Sequence, residues 1–189
     1  MQKITLVPPP GYDSRIAPVV GTTAAELDLL LASLAKRVKD APVELLEWQL
    51  QPGVNTIGML LAHIAIVEVY WVEVAERGLT SLEEVDRVVQ AILGIRMDDD
   101  GLPLPADGVH PRVLAGKTAT DYLGMLQQAR SATHRTLLGW KDSDLEETRQ
   151  VEGQEVSRAW VLYHLVEHFA HHRGQIALLV SLHRRFQSA

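Results

Sequence analysis

The chain has 189 residues, 47% hydrophobic and 22% charged, with a net charge of −6 and a pI near 5.7. That is enough chain to bury a core in one globular domain, and it carries no positive field to gather nucleic acid or anionic lipid. With no cysteine present, disulfides, thiolate zinc knuckles and a cysteine nucleophile are excluded, so any thiol chemistry must draw on a substrate or cofactor thiol.

The proline-rich start, Met1 to Gly11, lacks the apolar run of a secretory signal, so a cytoplasmic location is expected. Residues 1–20 show no period and should form an extended leader draped over a single domain, 1–189. A first long helix is expected with Thr22 or Thr23 as N-cap, ending near Asp40 ahead of Pro42, with Leu27, Leu30, Leu31 and Leu34 inward. A second should run from Asn55 to Arg77 and stop at Gly78. His63, Glu68 and Glu73 interrupt its apolar stretch, which reads as a buried helix and not a membrane span.

Ser81-Leu82-Glu83-Glu84 has the pattern of a capping box opening a shorter helix to Ile92. From Gly94 to Gly116 the chain is rich in Gly, Pro and Asp. Its run Asp98-Asp99-Asp100-Gly101 lacks the alternating ligands of a calcium loop and should be solvated. A third long helix is predicted over Ala119–Lys141, with Tyr122, Leu123, Leu126, Ala129, Thr133, Leu137 and Trp140 inward. Thr148–Val156 reads as a hairpin or extended turn centred on Glu152-Gly153-Gln154, after which Ser157 caps a final helix reaching about Arg185. The fold class is all-α: an antiparallel four-helix bundle with a long crossover loop between the second and third long helices.

Four of the eight histidines fall within nine residues, in His164-Leu-Val-Glu-His168-Phe-Ala-His171-His172-Arg173-Gly174-Gln175. At about 100° per residue, with His168 at zero, His172 lies near +40°, His164 near −40° and His171 near −60°. The apolar stripe of Val161, Leu165, Ile176 and Leu179 centres at about +40°, so His168 and His172 point inward while the other two lie on its margin. Two imidazoles rarely hold a divalent ion, and the best third is His63, which shares an apolar face with Met59, Val67 and Tyr70. His110, His134 and His183 read as solvated. Arg173 should pair with an acidic neighbour such as Glu167 or Glu73, and Gly174 should let a neighbouring helix approach. Gln175 could reach the cavity, and Tyr70 could line its wall.

The segments NTIGMLLAHIAIVEVYW and SRAWVLYHLVEHFAHHRGQI resemble the DinB/YfiT-like family of metal-dependent enzymes, with similarity over roughly Thr22 to Leu182. The resemblance implies a four-helix bundle with a three-histidine metal site, its ligands falling on His63, His168 and His172. Relatives include thiol-dependent transferases and isomerases that use a low-molecular-weight thiol such as mycothiol or bacillithiol, and they are frequently homodimers.

Three neutral imidazoles leave a divalent ion strongly Lewis acidic with an open position. Zinc comes first; nickel or iron would also accept such a site. The leading expectation is a metal-dependent enzyme on a small-molecule substrate, of thiol-dependent transferase or isomerase type, with no nucleic-acid or membrane partner. The alternatives are a metal-dependent hydrolase, or a non-catalytic, stress-related scaffold whose metal holds helices together. No general acid or base is assigned.

Overall fold

The structure, a computed structural model, describes residues 5–78, 81–151 and 153–187. Its helices are α1 (Pro18–Val38), α2 (Val43–Glu47), α3 (Ile57–Arg77), α4 (Leu82–Leu93), α5 (Ala119–Leu137) and α6 (Arg158–Gln187). Strands β1 (Thr148–Val151) and β2 (Gln154–Ser157) pair antiparallel, with Thr148 opposite Ser157. The start of the leader, residues 1–4, and Glu152 of the expected turn lie outside the described residues.

Helix ends follow from who satisfies the first N–H groups and last carbonyls. Thr56 caps α3, its Oγ1 accepting from Met59 N at 3.2 Å, and Gly78 at φ 65° stops it. A capping box opens α5, where Thr118 and Asp121 bond each other's backbone N–H. The box expected at Ser81 is not made, because the Ser81 side chain forms no cap bond. Helix α1 starts at Pro18, ahead of the expected threonines. Thr22 Oγ1 instead donates back to Pro18 O at 2.8 Å. The free donors of that first turn find the Asp142 carboxylate, which accepts from Val19 N at 3.0 Å and Val20 N at 3.2 Å. A cap supplied by a distant segment leaves no local signal. Helix α2 was likewise not expected.

Cross-contacts fix the directions. Gly58 lies against Tyr122, Glu68 bonds Arg130 and Glu76 bonds Trp140, so α3 and α5 run parallel. His63 meets His168, and Trp71 meets Trp160, so α6 runs antiparallel to α3. Asp28 bonds Arg130 and His134 while Val19 bonds Asp142, so α1 opposes α5. Two helices therefore point each way. Placing consecutive long helices side by side in parallel requires the chain to return the length of the bundle. Helix α4 and the loop behind it do so, packing on α3 and α5.

Helix α3 lines the core on nearly every side. Helices α1 and α3 are each long and apolar enough to cross a membrane by length and composition, but 78% of the most apolar stretch of α3 is buried inside the bundle. Arg130 is buried beside it, donating from Nε to Glu68 Oε1 at 2.8 Å, from Nη2 to Glu68 Oε2 at 3.1 Å and from Nη1 to Asp28 Oδ1 at 3.1 Å. Burial opposes its charge, but Glu68 and Asp28 outweigh that and raise its pKa. The histidine read as solvated on this face, His134, is half-buried between Tyr12 Oη at 2.9 Å and Asp28 Oδ1 at 3.0 Å.

Two helical glycines have opposite meanings. A β-carbon on Gly58 would lie 2.5 Å from Tyr122 Oη and 2.9 Å from its Cζ, so α3 and α5 approach closely there. One on Gly174 would meet nothing within 4 Å, which corrects the expectation of a close helix approach at that position. Gly58→Ala should cost about 1–3 kcal/mol through overpacking. Gly174→Ala should gain about 0.5–1 kcal/mol from lower unfolded-chain entropy and better helix propensity. Parallel denaturant titrations check this: shifts of the same sign would contradict the packing described.

Candidate metal centre

Helix periodicity brings His168 and His172 to one face of α6, and the antiparallel pairing with α3 brings His63 opposite them. His63 Nε2 lies 3.0 Å from His168 Nε2, which lies 3.1 Å from His172 Nε2. The three residues' donor atoms all fall within 4.8 Å of one another. His164 and His171 stay out of this group. His164 stacks on Trp160 at 4.8 Å and 6°, and exposed His171 accepts from Gln175 Nε2 at 3.1 Å.

The outer nitrogens decide what the inner ones can do. His63 Nδ1 lies 2.8 Å from Asp100 Oδ2. An ionised carboxylate only accepts, so the hydrogen sits on Nδ1 and Nε2 presents a bare lone pair. Similarly His172 Nδ1 lies 2.7 Å from Gln175 Oε1 and donates to it, which bares its Nε2. Two bare nitrogens thus face His168 Nε2 at hydrogen-bonding distance. Protonation is resisted: the His168 pKa is pushed down to about 3, first by burial and then by the neighbouring histidines. That of His172 is also lowered, chiefly by burial. A cluster in which His168 and His172 resist protonation suits a divalent cation. Around a tetrahedral ion such nitrogens stand about 3.3 Å apart, within a few tenths of an ångström of those here.

Asp100 is the residue that sequence reasoning missed. It belongs to the acidic run expected to be solvated, yet is only 2% exposed. Its Oδ1 accepts from Leu102 N at 2.9 Å while Oδ2 holds His63. Gly101, at φ 72°, turns the chain where a β-carbon would lie 2.6 Å from Pro111. A signal was present: Ile95 and Met97 before the aspartates and Leu102 and Leu104 after them flank the run with apolar residues, and an apolar loop packs. Gln175 does reach the cavity, through His172. Tyr70 lines a hollow beside His63 as expected.

Other expectations are corrected. Arg173 donates to Ser33 Oγ at 2.9 Å, while Glu73 pairs with Arg77 and Glu167 with His164. His110 is half-buried, its Nδ1 2.8 Å from Thr56 Oγ1 and its buried Nε2 without a hydrogen-bond partner among the described residues. His183 packs edge-on against Trp48 with ring centroids 5.2 Å apart. Both rings therefore face the protein and not open solvent.

Two hollows border the cluster, one at His63 and the other at His63 and His172, and they share Leu102. One, of 290 Å³, lies between α3 and the crossover; the other, of 540 Å³, is lined by Gly53, Asn55, Leu104 and His172.

The family model of the DinB superfamily matches residues 26–176, most of the chain and all three converging histidines. The chain belongs to the DinB superfamily. A crystal structure of a DinB-like protein from Bacillus cereus is similar to it with a TM-score of 0.55 and 19% identity, over 85% of this chain and 90% of that one. A conserved protein from Enterococcus faecalis gives a TM-score of 0.62 at 15% identity, over 85% and 94%. At such identities the likeness is one of fold. No curated protein matches the chain.

In this DinB-superfamily chain the carboxylate that fixes His63 comes from a loop, so its contribution can be isolated. Asp100→Asn should retain the helical fold but weaken divalent-ion affinity by about 10–100-fold, the usual effect of losing such an outer partner. Competition titration against a chromophoric chelator measures this, and an unchanged affinity would remove Asp100 from the centre.

Proposed function

We propose that the chain is a metal-dependent enzyme acting on a small molecule, of thiol-dependent transferase or isomerase type, with His63, His168 and His172 as ligands of one divalent ion. The observation that carries this reading is the convergence of the Nε2 atoms of three half-buried histidines, two of them bared by Nδ1 hydrogen bonds, beside two hollows. Zinc is the leading ion, with nickel and iron as alternatives. Bound there, such an ion supplies Lewis acidity to a thiol or water drawn against it.

The chain's own residues prepare the centre. Asp100 holds the proton on His63 Nδ1, and Gln175 accepts the proton of His172 Nδ1, so both rings are fixed before any ion arrives. Met97 and Leu102 cover one side with apolar surface and limit water. With no cysteine in the sequence, the reacting thiol would come from the substrate or from a low-molecular-weight cofactor. Hydrolysis by activated water is the runner-up. The open hollows count against a scaffold role, which three protein ligands would also serve less well than four.

Elemental analysis of the native protein should find one divalent ion per chain, and a conjugation screen with small thiols should then find turnover. His→Ala at positions 63, 168 or 172 should abolish stoichiometric metal, whereas the same change at 164 or 171 should not. Because burial lowers the pKa of His168 and His172 below the ordinary 6.5, their neutral forms persist as pH falls through 6. Metal should therefore be retained at pH 6 and released only under stronger acid. Loss centred at pH 6.5 would contradict the buried, proton-free centre.

We also propose a homodimer, supported by the exposed apolar residues Val19, Tyr163, Leu178 and Phe186 along α1 and α6. Sedimentation at micromolar concentration should show twice the 21.0 kDa of one chain. A monomer alone would exclude it.

A further inference from the structure

The 290 Å³ hollow beside His63 has a composition that constrains what can enter it. Helix α3 supplies one wall with Ile66, Val67, Tyr70 and Trp71. Facing it are Met97 and Leu102 of the crossover, and Val151 of β1. Among the described residues no lysine or arginine lines the hollow. Its one carboxylate, Asp100, has both oxygens engaged, by His63 and by Leu102 N, and brings no positive charge that would favour an anion.

The aromatic wall is rigid. Tyr70 and Trp71 meet at 89° with centroids 5.1 Å apart. Trp71 is held from behind by Trp160 at 4.9 Å and His164 at 5.4 Å, both edge-on. Such perpendicular rings form a corner that receives a third ring by stacking or edge contact without reorganising. The volume lies at the lower end of ligand pockets, about 300 Å³, which suits a single-ring molecule.

We propose that this hollow binds the uncharged, aromatic part of the substrate, with Tyr70 and Trp71 as specificity-determining walls and the three-histidine cluster at its end. The proposal rests on reading that cluster as the reaction centre. An anionic group at the Tyr70–Trp71 corner, away from the His63 end, would meet no lysine or arginine among the lining residues, so rings carrying a carboxylate, sulfonate or phosphate there are disfavoured.

The test uses the protein as purified and two phenols, p-cresol and 4-hydroxybenzenesulfonate, which share the hydroxyl end and differ in the para group, titrated by saturation-transfer-difference NMR. p-Cresol should bind about tenfold or more tightly than the sulfonate, as expected for desolvating an unpaired charge. Val67→Phe fills the hollow and should weaken p-cresol about tenfold or more. Leu82→Trp, at the exposed rim, should weaken it as well and serves if the first variant fails to fold. Absent p-cresol binding, equal affinity for both rings, or parental affinity in both variants would overturn the assignment. Metal content measured on the same samples separates this from the centre itself: p-cresol binding without stoichiometric metal would refute the metal centre alone, and metal without p-cresol binding would refute the aromatic site alone.

Discussion

The buried fork between Arg130 and Glu68 sets the terms for the rest of the molecule. It locks α5 beside α3 in the same direction, with Asp28 of α1 completing the guanidinium's partners. A charge pair buried this deeply tolerates no slippage, because stranding either partner costs about 3–5 kcal/mol. Parallel neighbours in turn oblige the chain to return between them. That return carries Asp100 and Leu102 across the end of α3 that bears His63. A contact remote from the histidines thus decides where the loop that orients one of them must pass.

The centre divides its labour between rigid and irregular structure. Its three nitrogens come from the interiors of α3 and α6, where rotamers are held by packing against buried residues such as Phe169. Its orientation comes from Asp100 on the loop and Gln175 on α6. Burial keeps His168 neutral, with a pKa near 3, so protons compete poorly with a cation for its ring. Burial alone would leave lone pairs facing one another; paired with outer hydrogen bonds it produces a nest of donors suited to a cation.

Much of this was legible because helical periodicity is a local property. The spacing of His168 and His172 against Val161, Leu165 and Ile176 placed both inward, and His63 stood out as a polar residue on an apolar face. The end of α3 followed from Gly78, whose chemistry acts within one turn, and its start fell two residues past the expected Asn55. Other features depended on residues far apart in the chain. The start of α1 is set by Asp142, a cap that no window around Pro18 contains. Arg173 found Ser33 in place of a carboxylate because α1, parallel to α6, runs beside it.

The sequence by itself determined that the chain forms a helical bundle and which histidines turn toward its interior, since both are fixed by a 3.6-residue repeat and the burial of apolar surface. Tertiary structure alone decided that Asp100 is buried against His63, that Gly174 touches nothing, and that the aromatic corner of Tyr70 and Trp71 stands next to the cluster. Those facts arise from helix direction and from the path of the crossover. Both are settled by long-range packing and by the buried Arg130–Glu68 pair, and neither has a local period to read.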